Sequence, residues 1–313
     1  MSKPSVSKIV AICAPAILFS AGTALAQPST DRPTPDELGR SIRHISSSLT
    51  LGTHILDNTD MDDGGEVSVT RVFADSEIVF PIGDASSITL DLGLEHSNYD
   101  FNSVFIIPDT DNPVTQVNTY SARAVLTTPF DHGKMALLVG AGIKLAGEFD
   151  ADVGESLTYN TLAGIVYNHD PKISFGLGVI VASQLEDDPL IVPFPILRYQ
   201  FDDRWSLTTD GPTIELAYDY SQELNFGLYL SWENRSYRLE SGTGLSSNAV
   251  VNENRVPVGF YATFSPGPGL EIRGDVFSSV YTKFEARSDN EAELGNEKAD
   301  PGLGFGISAI FRF

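Results

Sequence analysis

The 313-residue sequence predicts an all-β fold: a transmembrane antiparallel β-barrel of about 12–14 strands, with 14 preferred. Three observations carry that expectation. From residue 45 onward, apolar residues alternate with polar or small ones at a period of two. The alternating stretches hold for about 9–11 residues, the length a strand needs to cross a bilayer, against about 5–6 in a soluble sandwich. An aromatic residue ends the strand before each short turn, where a ring favours the boundary between apolar and wet surroundings.

The chain has 20 Lys+Arg against 42 Asp+Glu, a formal charge of −22. That sign excludes a nucleic-acid binder, which needs a basic footprint. A hydrophobic content of 42% is too high for an acidic disordered chain. The single Cys13 excludes a disulfide scaffold or a Cys-rich zinc module.

Residues 1–26 read as a secretory signal peptide. Lys3 and Lys8 open it, Ile9 to Ala26 is apolar or small apart from Ser20 and Thr23, and Ala24-Leu25-Ala26 is a small-x-small cleavage pattern. Cleavage after Ala26 removes both lysines and the cysteine, leaving 18 basic residues against 42 acidic. Beyond it no apolar run reaches the ~20 residues of a transmembrane helix; the longest, Met135 to Gly147, is interrupted by Lys144. Residues 27–44 read as a Pro-rich linker with a short helix capped by Thr34-Pro35-Asp36-Glu37. Residues 45–313 read as the barrel.

Ile88, Leu90, Leu92 and Leu94 alternate with Thr89, Asp91, Gly93 and Glu95, and Ile173, Phe175, Leu177, Val179 and Val181 keep the same period. Leu157 to Tyr167, Leu224 to Trp232 and Leu303 to Phe313 read as spanning strands. Short connections contain Gly83, Gly133, Pro171, Asp202, Ser221 and Pro266-Gly267-Pro268-Gly269, whereas longer polar ones lie near 58–66, 100–116, 148–155, 240–254 and 288–301. Phe80, Phe130, Tyr167, Phe201, Tyr220, Phe264 and Phe313 mark seven descending strands, hence fourteen in all. The interval from Phe201 to Tyr220 is too short for two full spans, so this hairpin is either short or outside the wall, which would leave twelve.

At the end of the chain Leu303, Phe305, Ile307, Ala309, Phe311 and Phe313 alternate to a terminal Phe. This resembles the C-terminal signal of bacterial outer-membrane β-barrels, porin-like proteins of Gram-negative cells. The resemblance covers residues 45–313 and implies an outer-membrane location. It also implies that Phe305, Ile307, Phe311 and Phe313 are read by the barrel insertion machinery, and that the wall faces membrane lipid and lipopolysaccharide. The stretch Ile196 to Pro212 is similar to a motif in barrel families without an assigned function.

If the apolar parity faces lipid, the other parity lines the lumen. That set is Glu215, Asp219, Glu233, Arg235, Arg255, Glu271, Arg273, Asp275 and Lys283, of both signs. Two readings follow: a polar passage selecting small solutes, or an ion-paired filling of a closed barrel. Acidic clusters in the longer loops would favour cations at the mouth. Asp60, Asp62 and Asp63 form a candidate divalent-cation loop, although the sixth position of an EF-hand register is Asp63 rather than Gly and the twelfth is Val69 rather than Glu. No cofactor motif is present, and the five histidines lack metal-ligand spacing. A lipid-modifying enzyme would need His54 or His96 to pair with Ser47 or Ser97. The expectation is therefore transport rather than catalysis, with cation preference. The alternative is a non-conducting barrel whose acidic loops bind divalent ions, lipopolysaccharide or a surface partner.

Overall fold

A computed structural model describes residues 44–313, apart from residues 84, 109, 111, 242 and 243. The expected signal peptide and residues 27–43 of the expected linker lie outside the described residues. Sixteen strands follow in chain order. The first eight are β1 (Ser46–Asp60), β2 (Glu66–Ile82), β3 (Ser86–Asn102), β4 (Gln116–Phe130), β5 (Met135–Gly147), β6 (Leu157–Asp170), β7 (Ile173–Gln184) and β8 (Asp187–Gln200). The rest are β9 (Trp205–Asp210), β10 (Thr213–Asp219), β11 (Leu224–Leu230), β12 (Glu233–Arg238), β13 (Val250–Gly267), β14 (Leu270–Arg287), β15 (Glu293–Ala299) and β16 (Gly302–Arg312).

Fourteen of them close a barrel. Antiparallel pairing runs in order from β1 to β11, passes to β13, β14 and β16, and returns to β1. Closure leaves no sheet edge along most of the wall, so the backbone groups facing lipid are paired. The two remaining strands are additions at one end: β15 pairs with β14, and β12 pairs with β13.

Period-two alternation explains which face each strand shows. Leu92, Leu94, Leu137, Val139, Phe175, Leu177, Phe305 and Ile307 are large, apolar and exposed on the outside, as a wall surrounded by hydrocarbon requires. At the end with the tight turns, Phe130, Tyr167, Phe201, Tyr220, Phe264 and Phe313 stand exposed as a girdle. Inside, several glycines let an aromatic ring from the neighbouring strand lie flat on the wall. A Cβ on Gly227 would sit 2.3 Å from the Tyr261 ring, and one on Gly178 would sit 2.2 Å from the Phe194 ring.

Three features depart from a regular barrel. First, β9 and β10 have 6 and 7 residues, against 14 in β8. The hairpin belongs to the wall, so the count is fourteen, but it does not reach full height. Second, the expected span Leu224 to Trp232 ends at Leu230. The chain breaks at Ser231-Trp232 and turns into the lumen as β12, whose Arg238 meets Gly147 at the end of β5. Third, β14 carries a bulge: Pro257 pairs with Ser279 and Val256 with Tyr281, leaving Val280 as the extra residue. One inserted residue exchanges the two faces beyond it.

At the loop end the barrel is filled. Leu56, Val67, Val69, Tyr99, Phe101, Ile106, Tyr237 and Phe284 belong to one buried cluster that extends across β1–β3, β12 and β14. This is a packed apolar core inside the mouth of the barrel, built from the inward strand β12 and from the β3–β4 connection.

Candidate functional site

The lumen below that core is the site, and β-strand parity builds it. On β2 the inward residues are Arg71, Phe73 and Asp75. On β3 they are Asp91, Glu95 and Tyr99, because Arg71 pairs across to Ser97 and Phe73 to Glu95. On β13 and β14 they include Tyr261, Arg273 and Asp275.

Directly beneath the core lies a network of buried ion pairs. Arg71 and Glu253 are each 1% exposed and bonded to each other. Tyr99 donates to the same Glu253 carboxylate, while the Arg71 guanidinium also donates to the Tyr99 hydroxyl at 3.0 Å. Arg235 grips Glu95 with two parallel bonds of 3.0 and 3.1 Å and reaches Glu233 at 2.6 Å. Arg255 donates to the same Glu233 oxygen at 2.6 Å. Charged groups so far from water require such partners.

A second network lies nearer the turn end. Tyr261 donates to Glu215, and Arg273 lies 3.6 Å from Glu215 with its guanidinium 3.7 Å from the Tyr261 ring centre. Tyr229 donates to Asp275 at 3.1 Å, and His54 Nε2 lies 3.7 Å from the same carboxylate. Arg123 meets Asp91 at 2.8 Å, and Arg312 meets Glu271. Between the two networks is a cavity of about 180 Å³ whose lining includes Asp75, Arg123, Asp210, Trp232, Arg273 and Asp275.

Of the residues expected in the lumen, Glu215, Glu233, Arg235, Arg255, Glu271, Arg273 and Asp275 take part in these networks. Asp219 sits at the turn end of β10, bonded to the Asn225 amide at 2.6 Å. Lys283 does not join them. The bulge at Val280 places Thr282 and Phe284 inward and puts Lys283 on the other face, bonded to Glu285 at 3.1 Å. The sequence reading passed over Arg71, Glu95, Lys144, Asp210 and Glu253. The signal was present for Glu95, which shares the polar parity of the Ile88–Leu94 strand.

The other expected groupings are not assembled. Among the described residues no group of three or more His, Cys, Asp or Glu is arranged to hold a metal ion. The Asp62 and Asp63 amides instead bond Lys298 O and Glu297 of β15. His54 faces Asp275 rather than a serine. His96 projects outward, 3.0 Å from Asn118, while the neighbouring Ser97 points inward to Glu95. In the terminal strand Phe305, Ile307 and Phe311 lie on the outer face and Phe313 at the turn end.

Curated proteins offer no match to the chain. Among solved structures it is similar to the COG4313 outer membrane channel from Pseudomonas putida F1, at 9% identity over 88% of this chain and 98% of that one, with a TM-score of 0.48. It is also similar to the toluene transporter TodX of P. putida, at 9% identity over 90% and 92% of the chains with a TM-score of 0.41. The KdgM porin matches at 8% identity over 85% and 99%, with a TM-score of 0.36. Likeness at this distance says nothing about what passes through the barrel. A family model described as a domain of unknown function, DUF6268, matches residues 132–310, more than half of the sequence, and the chain belongs to that family.

Proposed function

We propose that this chain is a bacterial outer-membrane channel for small solutes, with its tight turns in the periplasm and its loops outside. The observation that supports it is the cavity in mid-lumen. A barrel serving only as an anchor has no need of a chamber lined by charges of both signs, held open between two ion-paired layers. Acidic residues at the loop end, Asp57 and Asp60 at the end of β1 and Asp62, Asp63, Glu148 and Asp150 in the loops, give the mouth a negative field that favours cations. This reading calls for neither a cofactor nor a catalytic step.

The test is to refold residues 27–313 into a planar bilayer and record conductance and reversal potential in a KCl gradient. Stable steps with cation preference are expected. Absence of conductance from a barrel shown to be folded by heat-dependent gel migration overturns the proposal. A second reading, a non-conducting barrel whose loops bind divalent ions, lipopolysaccharide or a surface partner, is favoured by the packed core across the loop end. That silent outcome would favour it, and binding of Ca²⁺ or lipopolysaccharide to the folded barrel would then be the measurement that decides it.

A further inference from the structure

We infer that the channel releases its solute sideways into the surrounding lipid, through a window in the wall between β8 and the β12–β13 ribbon, and that the solute is a small amphiphile. The inference rests on the channel reading above. It begins with strand pairing. β9 covers β8 only from Arg198 to Gln200, because the β9–β10 hairpin turns back at Gly211-Pro212. Toward the loop end, β8 has β7 on one side and no strand on the other among the described residues. β11 would have closed the gap beyond the hairpin, but the chain leaves the wall at Ser231 and enters the lumen as β12. At about 3.3 Å per residue, the edge left beyond the reach of Thr209, from Leu190 to Phe194, is roughly 13 Å long.

The chemistry of that edge shows that it is made to stay open. The Leu197 amide donates to Thr209 Oγ1 at 2.8 Å, and the same hydroxyl donates to Pro195 O at 3.0 Å. Residues 193, 195 and 197 therefore aim their backbone away from β7, the latter two at Thr209 and the first at the empty side. Two of the three are Pro193 and Pro195, which have no N–H to offer another strand. Prolines here remove two of the donors that would face lipid, the Ile191 N–H remaining, and hinder strand addition by a second molecule. The window is spanned at its rim, where Arg238 of β12 holds Glu186 and Arg287 of β14 lies 3.2 Å from Asp187.

At its turn-end border stand the tip of the β9–β10 hairpin and the β11–β12 break, and Asp210, Gly211, Pro212, Thr213, Ser231 and Trp232 of these two segments also line the cavity. The Trp232 Nε1 is buried there without a hydrogen-bond partner, a donor waiting for a polar group. The lumen has two unlike sides. Next to the window the inward residues of β6–β8 include the apolar Leu162, Ile180, Val192, Phe194 and Ile196, with Asn160 toward the loop end. The wall formed by β2–β4, β13 and β14 carries the charged networks. Such a lumen suits a solute with an apolar body and a hydrogen-bonding head. The apolar core above the cavity obstructs the axial route toward the loops.

Trp232 supplies the test. In a Trp205→Phe protein it is the only tryptophan left in the chain. Reconstituted in bilayers with brominated acyl chains, it should lose most of its emission, since bromine quenches only on contact and a complete wall would shield the ring. Lengthening the β9–β10 hairpin by four residues in each strand, together with Pro193→Val and Pro195→Val, extends pairing along β8 and should restore the emission. Gram-negative cells producing the open protein should brighten N-phenyl-1-naphthylamine faster than cells producing the lengthened one at equal level. Unquenched Trp232 in the open protein overturns the window, as does a dimer cross-linked through β8. KCl conductance of the same open sample separates the readings: conductance with unquenched Trp232 removes the window alone, and a silent barrel removes the channel. If the lengthened variant fails to fold, the quenching of the open protein still decides.

Discussion

Arg71 and Glu253 show what a single side chain decides here. Each is almost wholly buried, and each is the other's compensating charge. Replacing Glu253 with Ala leaves a guanidinium in a dry mouth, so the barrel should lose about 3–5 kcal/mol. Exchanging both for apolar residues of similar volume, Arg71→Met with Glu253→Leu, should recover most of it. Urea titrations of the refolded protein, followed by heat-dependent migration, compare the two variants. A double variant no better than Glu253→Ala would show that the pair is not the source of the loss. At the turn end Asp202 supplies a pH-dependent counterpart. The Arg204 and Trp205 backbone amides donate to its carboxylate at 2.8 Å, and these bonds hold its pKa below the ordinary value. A carboxyl whose folded pKa is lowered stabilises the fold above its unfolded pKa of about 3.9, and that contribution is lost as pH falls through the folded value. The unfolding temperature of the native barrel should therefore drop more steeply below pH 4 than that of Asp202→Ala. Parallel curves would refute this. Much of the residue scale was legible from parity, since Glu215, Arg255 and Asp275 could be placed inside from their apolar neighbours. Arg71 could not, because its inward neighbours Val67 and Val69 are themselves apolar, and around Glu253 the opposite face carries the polar Asn252 and Asn254, so the alternation no longer separates two faces.

Elements show where local pattern yields to tertiary demand. The short β9–β10 hairpin was readable, because Phe201 and Tyr220 stand too close together for two full spans. The break at Ser231-Trp232 was not, since Leu224 to Trp232 keeps its alternation through the kink. Only the position of β13 and β5 around it explains why the chain turns inward there. Likewise the bulge at Val280 leaves no mark on composition, and it alone moves Lys283 off the lumenal face. The glycine–ring pairs are a testable property at this scale. Gly227→Val puts a branched side chain where the Tyr261 ring lies, 2.3 Å from a Cβ at that position. Overpacking of this kind costs about 1–3 kcal/mol. It should also displace the Tyr261 hydroxyl from Glu215, so the variant should be both less stable in urea and altered in reversal potential. A variant with native stability would show that the ring moves aside freely.

For the whole molecule, the decisive feature is that the loop end is a protein core and the middle is a chamber. If the core is the axial constriction, Tyr237→Ala with Phe284→Ala should raise single-channel conductance, while lowering stability by about 3–5 kcal/mol for each lost ring. An unchanged conductance would place the narrowest point in the ion-paired layer instead. Replacing Asp60, Asp62 and Asp63 with Asn should shift the reversal potential toward zero if loop charge sets the cation preference. No shift would assign selectivity to the lumen. By itself the sequence determined the class of fold, the strand count within two, the outward face of strands with clear alternation such as Ile88–Leu94 and Leu303–Phe313, and the two-signed character of the lumen. These follow from period, length and parity, which are properties of a chain read one segment at a time. The tertiary structure decided which charges meet, that β12 leaves the wall, that the mouth is filled and that β8 keeps a bare edge. Each of these depends on what stands beside a strand in space, and pairing between residues more than a hundred positions apart, such as Arg71 with Glu253, carries no local signature.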